Sequence, residues 1–353
     1  MRVVVALSGG VDSSVAAGLL AEQGHEVIGV HMKLHDAPAA TPVSSKSCCG
    51  LDDALDARLV CERLGVPFYV MDLRAAFEKA VMEEFAAVYA AGGTPNPCVS
   101  CNGVLKFRVL LARARALGAS HLATGHYARI GPSGAVQRAV DLDKDQSYFL
   151  FPLSAEARRA ALFPLGHLRK DEVRAHARRM GLITADKPES QEVCFLPTGD
   201  HTSFVRAHTG IDGAGDIVDE SGAVLGHHDG YFRFTVGQRR GLALGGGPPL
   251  YVLRVDADTR RVVVGPDERL QHTRVRARAM VWASEAPPLP GAVLSARIRH
   301  RGALVPCTVE AESPDAAALH LRVPARAATK GQAVVLYDGD DVVGGGWISE
   351  VSA

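Results

Sequence analysis

At 353 residues the chain is too long for one ordinary core and predicts two or three independently folding domains. Its 47% hydrophobic and 22% charged residues, with no apolar run approaching the roughly 20 residues that span a bilayer, predict a soluble globular protein. A formal net charge of zero excludes a protein that grips nucleic acid by bulk electrostatics, while leaving room for a local basic face. In chain order, Arg2-Val-Val-Val-Ala-Leu7 reads as a buried strand and runs directly into Ser8-Gly-Gly-Val-Asp12-Ser-Ser14, where Val11, Val15 and Leu19 open a helical pattern. Because a strand begins at once, without a charged leader or cleavable apolar segment, the expected location is the cytoplasm.

Glu26 to Met32 is a second buried run. A helix with Leu51, Leu55 and Leu59 on one stripe leads to a third strand at Val66 to Met71, and a further helix carries Phe77, Val81, Phe85 and Tyr89. Ser120 to Thr124 reads as a fourth strand ending in Gly125-His126-Tyr127. Alternation of strand and helix over 1–195 predicts an open, doubly wound α/β parallel sheet, with its ligand crevice at the carboxyl ends of the strands, where Ser8, Met32 and Gly125 fall. Over 196–270 the helical pattern stops and short Gly-punctuated segments predict a small central β-rich domain. From 271 to 353 alternating runs at Val293 to Arg299, Pro306 to Val309, Ala318 to Val323 and Ala333 to Tyr337 predict a C-terminal β-barrel. The stretch 37–46 is the softest part of the chain.

Two features carry chemistry. The first is the strand-to-helix junction, an anion site: glycines admit close approach, amides of the first helical turn point outward, and serine hydroxyls add donors. It lacks the Gly-Lys-Ser/Thr ending of a Walker loop, so no lysine escorts a γ-phosphate. The second is the cysteine set. Seven cysteines, an odd number, with Cys48-Cys49 and Cys98-x-x-Cys101 clustered, fit thiol chemistry or metal binding in a reducing compartment. Cys101 near the start of a helix at Val104 to Leu117, with Lys106 one turn on, is expected to favour the thiolate and serve as a nucleophile. Cys194, in Ser190-Gln-Glu-Val-Cys-Phe-Leu-Pro197, is the second candidate; each of the two also has a bland reading as a buried, inert thiol. Cys61 and Cys307 sit in hydrophobic patterns and read as core.

The glycine loop resembles the pyrophosphate loop (PP-loop) of adenine nucleotide alpha-hydrolase-like enzymes that split ATP into AMP and pyrophosphate. Read in order, it is followed by Thr94-Pro-Asn-Pro, Cys101-Asn102, Leu105-Lys-Phe107, Ala123-Thr-Gly-His-Tyr127, Lys144-Asp-Gln-Ser-Tyr-Phe-Leu150, Cys194-Phe195 and Thr235-Val-Gly-Gln-Arg-Arg-Gly-Leu242. This series resembles the tRNA-specific 2-thiouridylase family, and the similarity continues to Gly331-Gln332 and Gly344-Gly-Gly346. The resemblance implies that ATP adenylates the C2 oxygen of a wobble uridine in tRNA and that a cysteine persulfide supplies sulfur as AMP leaves. It implies that Ala6, Leu7, Ser8, Gly9, Gly10, Val11, Asp12, Ser13, Met32 and Gly125 hold ATP, with Asp12 the Mg²⁺ partner. Cys194 would carry a persulfide received from a sulfur-relay protein or cysteine desulfurase, and Cys101 would release the sulfur, leaving a Cys101–Cys194 disulfide. The resemblance further places Asn96, Pro97 and Cys98 at the target base, His126, Lys144, Asp145 and Gln146 on tRNA, and Arg299, His300 and Gln332 on tRNA from the barrel.

One position departs from the pattern: the family commonly has Asp where this chain has Cys98, and a thiol is a weaker proton acceptor than a carboxylate base at its post. Cys98, Cys101 and Cys194 therefore also admit a second route, as ligands of three irons of a [4Fe–4S] cluster, with Cys48 or Cys49 as an extra ligand. Zinc on Cys48, Cys49, Cys98 and Cys101 would immobilise the nucleophile. His126 can instead cap its strand end, Lys144 to Gln146 can be a solvated turn, and Arg239-Arg240 either a charged turn or a phosphate grip. Rival functions are another PP-loop adenylating ligase or amidase acting on a small metabolite, and a noncatalytic RNA-binding protein.

Overall fold

Three consecutive valines, Val3 to Val5, are fully buried in strand β1 (Arg2–Leu7), as befits a strand covered on both faces. The computed structural model describes residues 1–36, 51–189, 193–196, 200–245 and 247–353; Cys48, Cys49, the stretch 37–46, and Ser190 to Glu192 and Pro197 of the Cys194 motif lie outside the described residues. β1 pairs in parallel with β2 (Glu26–Lys33), and β2 with β3 (Phe68–Asp72). On its other side β1 pairs in parallel with β4 (His121–Thr124). A short hairpin of β5 (Ala128–Ile130) and β6 (Val136–Arg138) intervenes before β7 (Ala161–Leu162) completes a five-stranded sheet of order β3-β2-β1-β4-β7. The chain winds outward from β1 first one way and then the other, which opens a crevice beyond the carboxyl ends of β1 and β4.

The chain divides into two compact units: Met1–Val81 with Cys98–Gly199 and Asp340–Val342, and Met82–Pro97 with Asp200–Gly339 and Val343–Ala353. In the first, the helix Leu51–Leu64 forms as expected but turns another face inward. Leu55 and Leu59 are 53% and 38% exposed, whereas Asp53, Ala57, Val60 and Cys61 are buried. Small residues face the sheet here because Gly29 of β2 lies so close that a Cβ on it would sit 2.3 Å from the Cys61 sulfur. The expected apolar spacing of Phe77, Val81, Phe85 and Tyr89 holds, and all four are buried; the first two belong to the first unit and the last two to the second.

Contrary to the expectation that helices stop after residue 196, the second unit contains the helix His201–Thr209. Asp200 caps it by accepting from the amides of Thr202 and Ser203, and Gly210 ends it in the left-handed conformation at φ 69°. Phe204 packs edge-on against Phe85 and the ring of His201 stacks on Tyr89. Beyond it, β8 (Gly215–Val218), β9 (Val224–His228), β10 (Tyr251–Asp256) and β11 (Arg261–Gly265) form a four-stranded sheet.

The C-terminal strands are β12 (Gln271–Trp282), β13 (Val293–Arg297), β14 (Val305–Ser313), β15 (Ala316–Arg326), β16 (Ala333–Asp338) and β17 (Asp341–Ser352). They run in the order β12-β15-β14-β13-β16-β17, and pairing of β12 with β17 closes the barrel. Gly344 and Gly346 make that closure feasible. A Cβ on Gly344 would lie 2.7 Å from both the Trp282 ring and the Val281 carbonyl, and one on Gly346 would be 2.5 Å from the Met280 sulfur. Cys307 is fully buried in the barrel core, as its pattern predicts, and burial pushes its thiol up to about 11; Cys61 in the first unit is likewise pushed up to about 12.

Candidate active site

The junction of β1 with the helix Val11–Glu22 has the shape its glycines dictate. Gly9 stands at φ +74°, and a Cβ there would lie 2.4 Å from the Asp53 carbonyl oxygen. Gly10 enters the helix in an extended conformation with no side-chain cap, so amides of the first turn keep no intrahelical partner and face the crevice. The hydroxyls of Ser13 and Ser14 do not supply the donors expected of them: both donate to the Gly10 carbonyl, at 3.1 and 2.9 Å, while Ser13 Oγ accepts from the Ser8 amide. Their role is to hold the loop open for its backbone. Lys187 locks the loop from behind, donating to the Gly9 carbonyl at 3.0 Å while pairing with Asp53 and Asp56.

The other candidate nucleotide residues converge on this loop. Gly125, just past β4, packs on the start of the helix so tightly that a Cβ would be 2.6 Å from the Ser13 amide nitrogen. Ala6 and Leu7 are buried at the end of β1, and Met32 is buried at the end of β2. Beside Met32, the buried His31 donates from Nδ1 to the Leu7 carbonyl at 3.0 Å; burial pushes its pKa down, which keeps the ring neutral.

Asp12 is the centre of a charge network that the sequence reading missed. Lys170 Nζ lies 2.7 and 2.9 Å from its two carboxylate oxygens, and Tyr127 donates its hydroxyl proton to it at 2.9 Å. Lys170 also pairs with Glu189 at 2.6 Å, and Glu189 in turn with Lys144 at 2.7 Å. Burial acts against the Glu189 charge, but the two ammonium groups outweigh it and hold the carboxyl at about 2. Burial and the Asp12 carboxylate both push the Tyr127 hydroxyl well up, so it stays a donor. A signal was present in the sequence: Lys170 opens the helix Lys170–Arg179, the end where a cation is disfavoured by the helix dipole and so calls for a separate reason.

Cys101 does not sit at a helix N-terminus. The helix starts earlier, with Pro97–Ser100, and Cys101 begins the π-helical stretch Cys101–Leu110, beyond the reach of most of the end dipole. Burial pushes its thiol up, with Lys106 pulling the other way but not prevailing, so the expected thiolate-favouring environment is corrected to a protonated resting thiol. Lys106 donates to Asn102 Oδ1 at 2.8 Å and faces His126 Nε2 at 3.4 Å. The Nδ1 of His126 bonds Thr124 Oγ1 at 2.7 Å. His126 is thus buried and is held neutral by burial and by the adjacent ammonium, a setting for orienting Lys106 rather than for a surface contact with RNA.

Of the other expected RNA contacts, Asp145 is turned inward, accepting from the amides of Ala139 and Ser147 and from the Ser147 hydroxyl. Gln146 accepts from the Tyr127 amide and so clamps the tyrosine that bonds Asp12, while Lys144 and Gln146 are both half-buried. Cys98 is exposed. Cys194 is half-buried, its neighbour Phe195 anchored edge-on against Phe77. Cys98, Cys101 and Cys194 all belong to the first unit, yet among the described residues no three Cys, His, Asp or Glu side chains converge as metal ligands. In the second unit, Gln332 donates to the carbonyls of Thr94 and Pro95, both at 3.1 Å, fixing the loop that leads to Asn96 and Pro97. Arg299 is exposed and His300 half-buried on the turn after β13.

Residues 1–198 match the family model described as tRNA methyl transferase HUP domain, 202–266 the tRNA methyl transferase PRC-barrel domain, and 272–348 the aminomethyltransferase beta-barrel domain. The tRNA-specific 2-thiouridylase MnmA of Geobacter metallireducens is 49% identical, over 98% of this chain and 96% of its own. That of Acidothermus cellulolyticus is 48% identical over 99% and 98%. Among solved structures, a 4-thiouridine synthetase in complex with RNA and bound ATP is 16% identical, covering 59% of this chain and 50% of that one, with a TM-score of 0.35. With near-half identity end to end, and three family models matched in succession, the chain belongs to the tRNA-specific 2-thiouridylase family.

Proposed function

We propose that the chain is an ATP-dependent tRNA 2-thiouridylase: it converts a wobble uridine to 2-thiouridine and releases AMP and pyrophosphate. The observation that carries this reading is the presence, in a member of that family, of a phosphate-shaped loop and two half-buried cysteines in the same unit. ATP binds along Ala6 to Ser13, with Met32 and Gly125 closing the crevice. Magnesium suits Asp12, since that ion takes one or two carboxylates alongside substrate phosphates and water.

In this reading the uridine C2 oxygen attacks the α-phosphorus and pyrophosphate leaves, turning a poor leaving group into an AMP ester. The terminal sulfur of a Cys194 persulfide attacks C2 and AMP departs. Cys101 then gives up its proton to water and attacks the Cys194 Sγ, forming a disulfide as the S–S bond to the transferred sulfur breaks and leaves that sulfur on the base. A sulfur-relay protein or cysteine desulfurase loads the persulfide, and a reductant of the thiol class resets the disulfide. Asn96, Pro97 and Cys98 meet the base, and Arg299 and His300 contact tRNA, in a cytoplasmic enzyme organised as a nucleotide domain (1–195), a central domain (196–270) and a barrel (271–353). Gln332 acts by positioning the Thr94–Pro95 loop.

The persulfide route, which needs only Cys101 and Cys194, is the one we adopt, and the [4Fe–4S] route, with Cys98 as a further ligand, is its alternative. Mass spectrometry of tRNA nucleosides from cells lacking the protein tests the activity; unchanged 2-thiouridine would refute it. Incubation with labelled ATP, unmodified tRNA, a cysteine desulfurase with cysteine as sulfur source and a thiol reductant should give AMP and thiolated product in equal amounts. RNA binding without AMP would instead support a noncatalytic binder, and full activity in a Cys101→Ser variant a metabolite ligase. Anaerobically purified protein should be colourless, iron-free and active.

A further inference from the structure

The nucleotide loop carries no lysine of its own, yet a lysine reaches it from elsewhere in the first unit. Lys170 is fixed at its backbone, where its amide donates to Asp141 Oδ2 at 3.0 Å, and its side chain extends over the Tyr127 ring to the first turn of the helix Val11–Glu22. Its ammonium, largely shielded from solvent, is held by Asp12 at 2.7 Å and Glu189 at 2.6 Å.

We propose that Lys170 is the phosphate-binding cation of this site and that Glu189 is the carboxylate with which the nucleotide phosphates compete for it. The inference rests on the reading of the loop as an ATP site. Asp12 is the group that would turn to Mg²⁺, and doing so removes one of the two anions neutralising Lys170. The triphosphate then offers the ammonium a new anionic partner at the same helix end, where the backbone amides already point. Glu189 keeps its second ammonium partner, Lys144, so it can give up Lys170 without being left as an uncompensated charge. The arrangement is an ion-pair exchange: Lys170 passes from protein carboxylates to substrate phosphates and is fully partnered on either side.

The test is calorimetric binding, by the full chain with Mg²⁺, of α,β-methylene-ATP, which cannot be split at the α-phosphate, and of adenosine, which has no phosphates. Lys170→Gln should weaken the analogue roughly 10- to 100-fold, the worth of a charge-assisted hydrogen bond, and leave adenosine within about twofold. Lys170→Arg should restore most of the loss. Glu189→Gln should tighten the analogue a few-fold by removing the competitor. Equal loss of analogue and adenosine in Lys170→Gln would show a structural role and overturn the proposal, as would unchanged binding of the analogue. Should Lys170→Gln fail to fold, Glu189→Gln decides, and binding no tighter than wild type overturns the proposal. Wild-type protein that binds no analogue sinks the ATP reading together with this inference, whereas wild-type binding with unaffected variants sinks the inference alone.

Discussion

The rim of the parallel sheet and the C-terminal barrel are built by opposite means. At the rim, backbone shape and charge are held by long-range polar partners: Lys187 on Gly9, Lys170 on Asp12, Lys106 beside His126. In the barrel, closure rests on the removal of side chains, with Gly344 and Gly346 letting β17 lie against Met280, Val281 and Trp282. A rim organised by ion pairs can exchange partners with a charged substrate. A barrel organised by close packing cannot, and offers rigidity instead.

Substitutions that affect one region's function and the other's stability sharpen this contrast. The largest effect is expected for Cys101→Ser, which should cut thiolated product roughly a thousandfold or more, while persulfide-loaded variant still forms about one AMP per enzyme from labelled ATP in the presence of tRNA. Loss of both activities together would place Cys101 in the fold rather than in sulfur transfer. Next, two glycine substitutions should part company. Gly125→Ala pushes a methyl into the Ser13 amide and should weaken ATP binding on the order of 10- to 100-fold, whereas Gly344→Ala should leave ATP binding alone and cost the barrel about 1–3 kcal/mol in denaturant unfolding. Equal effects of both on ATP affinity would erase the distinction.

A smaller change is expected from Lys106→Met. Because burial already raises the Cys101 thiol and Lys106 only moderates it, removing the ammonium should raise it further and slow alkylation by iodoacetamide roughly tenfold at fixed pH, with rates in both proteins rising towards alkaline pH. An unaltered pH profile would detach Lys106 from the thiol. The mildest effect concerns acid stability. His31 and His126 are both held neutral, so the unfolded chain binds more protons than the folded one once pH falls below about 6.5. Stability should decline below that point by at most about 1.4 kcal/mol per pH unit for each histidine. Melting curves of His31→Gln that keep the full wild-type slope would remove His31 from the account.

Much of the fold was legible along the chain because its signals are local. A valine run ending in two glycines can only be a buried strand entering a tight turn, and alternation from residue 293 onward marks barrel strands without reference to anything else. The helix His201–Thr209 escaped because its apolar face is short, although Asp200 and Gly210 mark both its ends. The leucine stripe misled at Leu55 and Leu59 because periodicity reports which residues share a face but not which face meets the sheet; the tight approach at Gly29 selected the one with Cys61. In the site, the glycine loop was readable from its motif, and the structure packs Gly125 onto it at Ser13. Lys170 and Lys187 were not readable, since each meets its partner on the loop across more than a hundred residues of chain, and Glu189 joins the network only through Lys170.

The sequence by itself determined the strand–glycine–helix loop, the succession of motifs that marks the family, and the alternation that makes a barrel, all properties of neighbouring residues and their spacing. Only the tertiary structure decided that Asp145 and His126 turn inward, that the surroundings of the half-buried Cys101 raise its thiol, and that a lysine from a distant helix neutralises Asp12. The physical reason is that charge, proton affinity and accessibility depend on what surrounds a group in space, and the surroundings here are assembled from segments far apart in the chain.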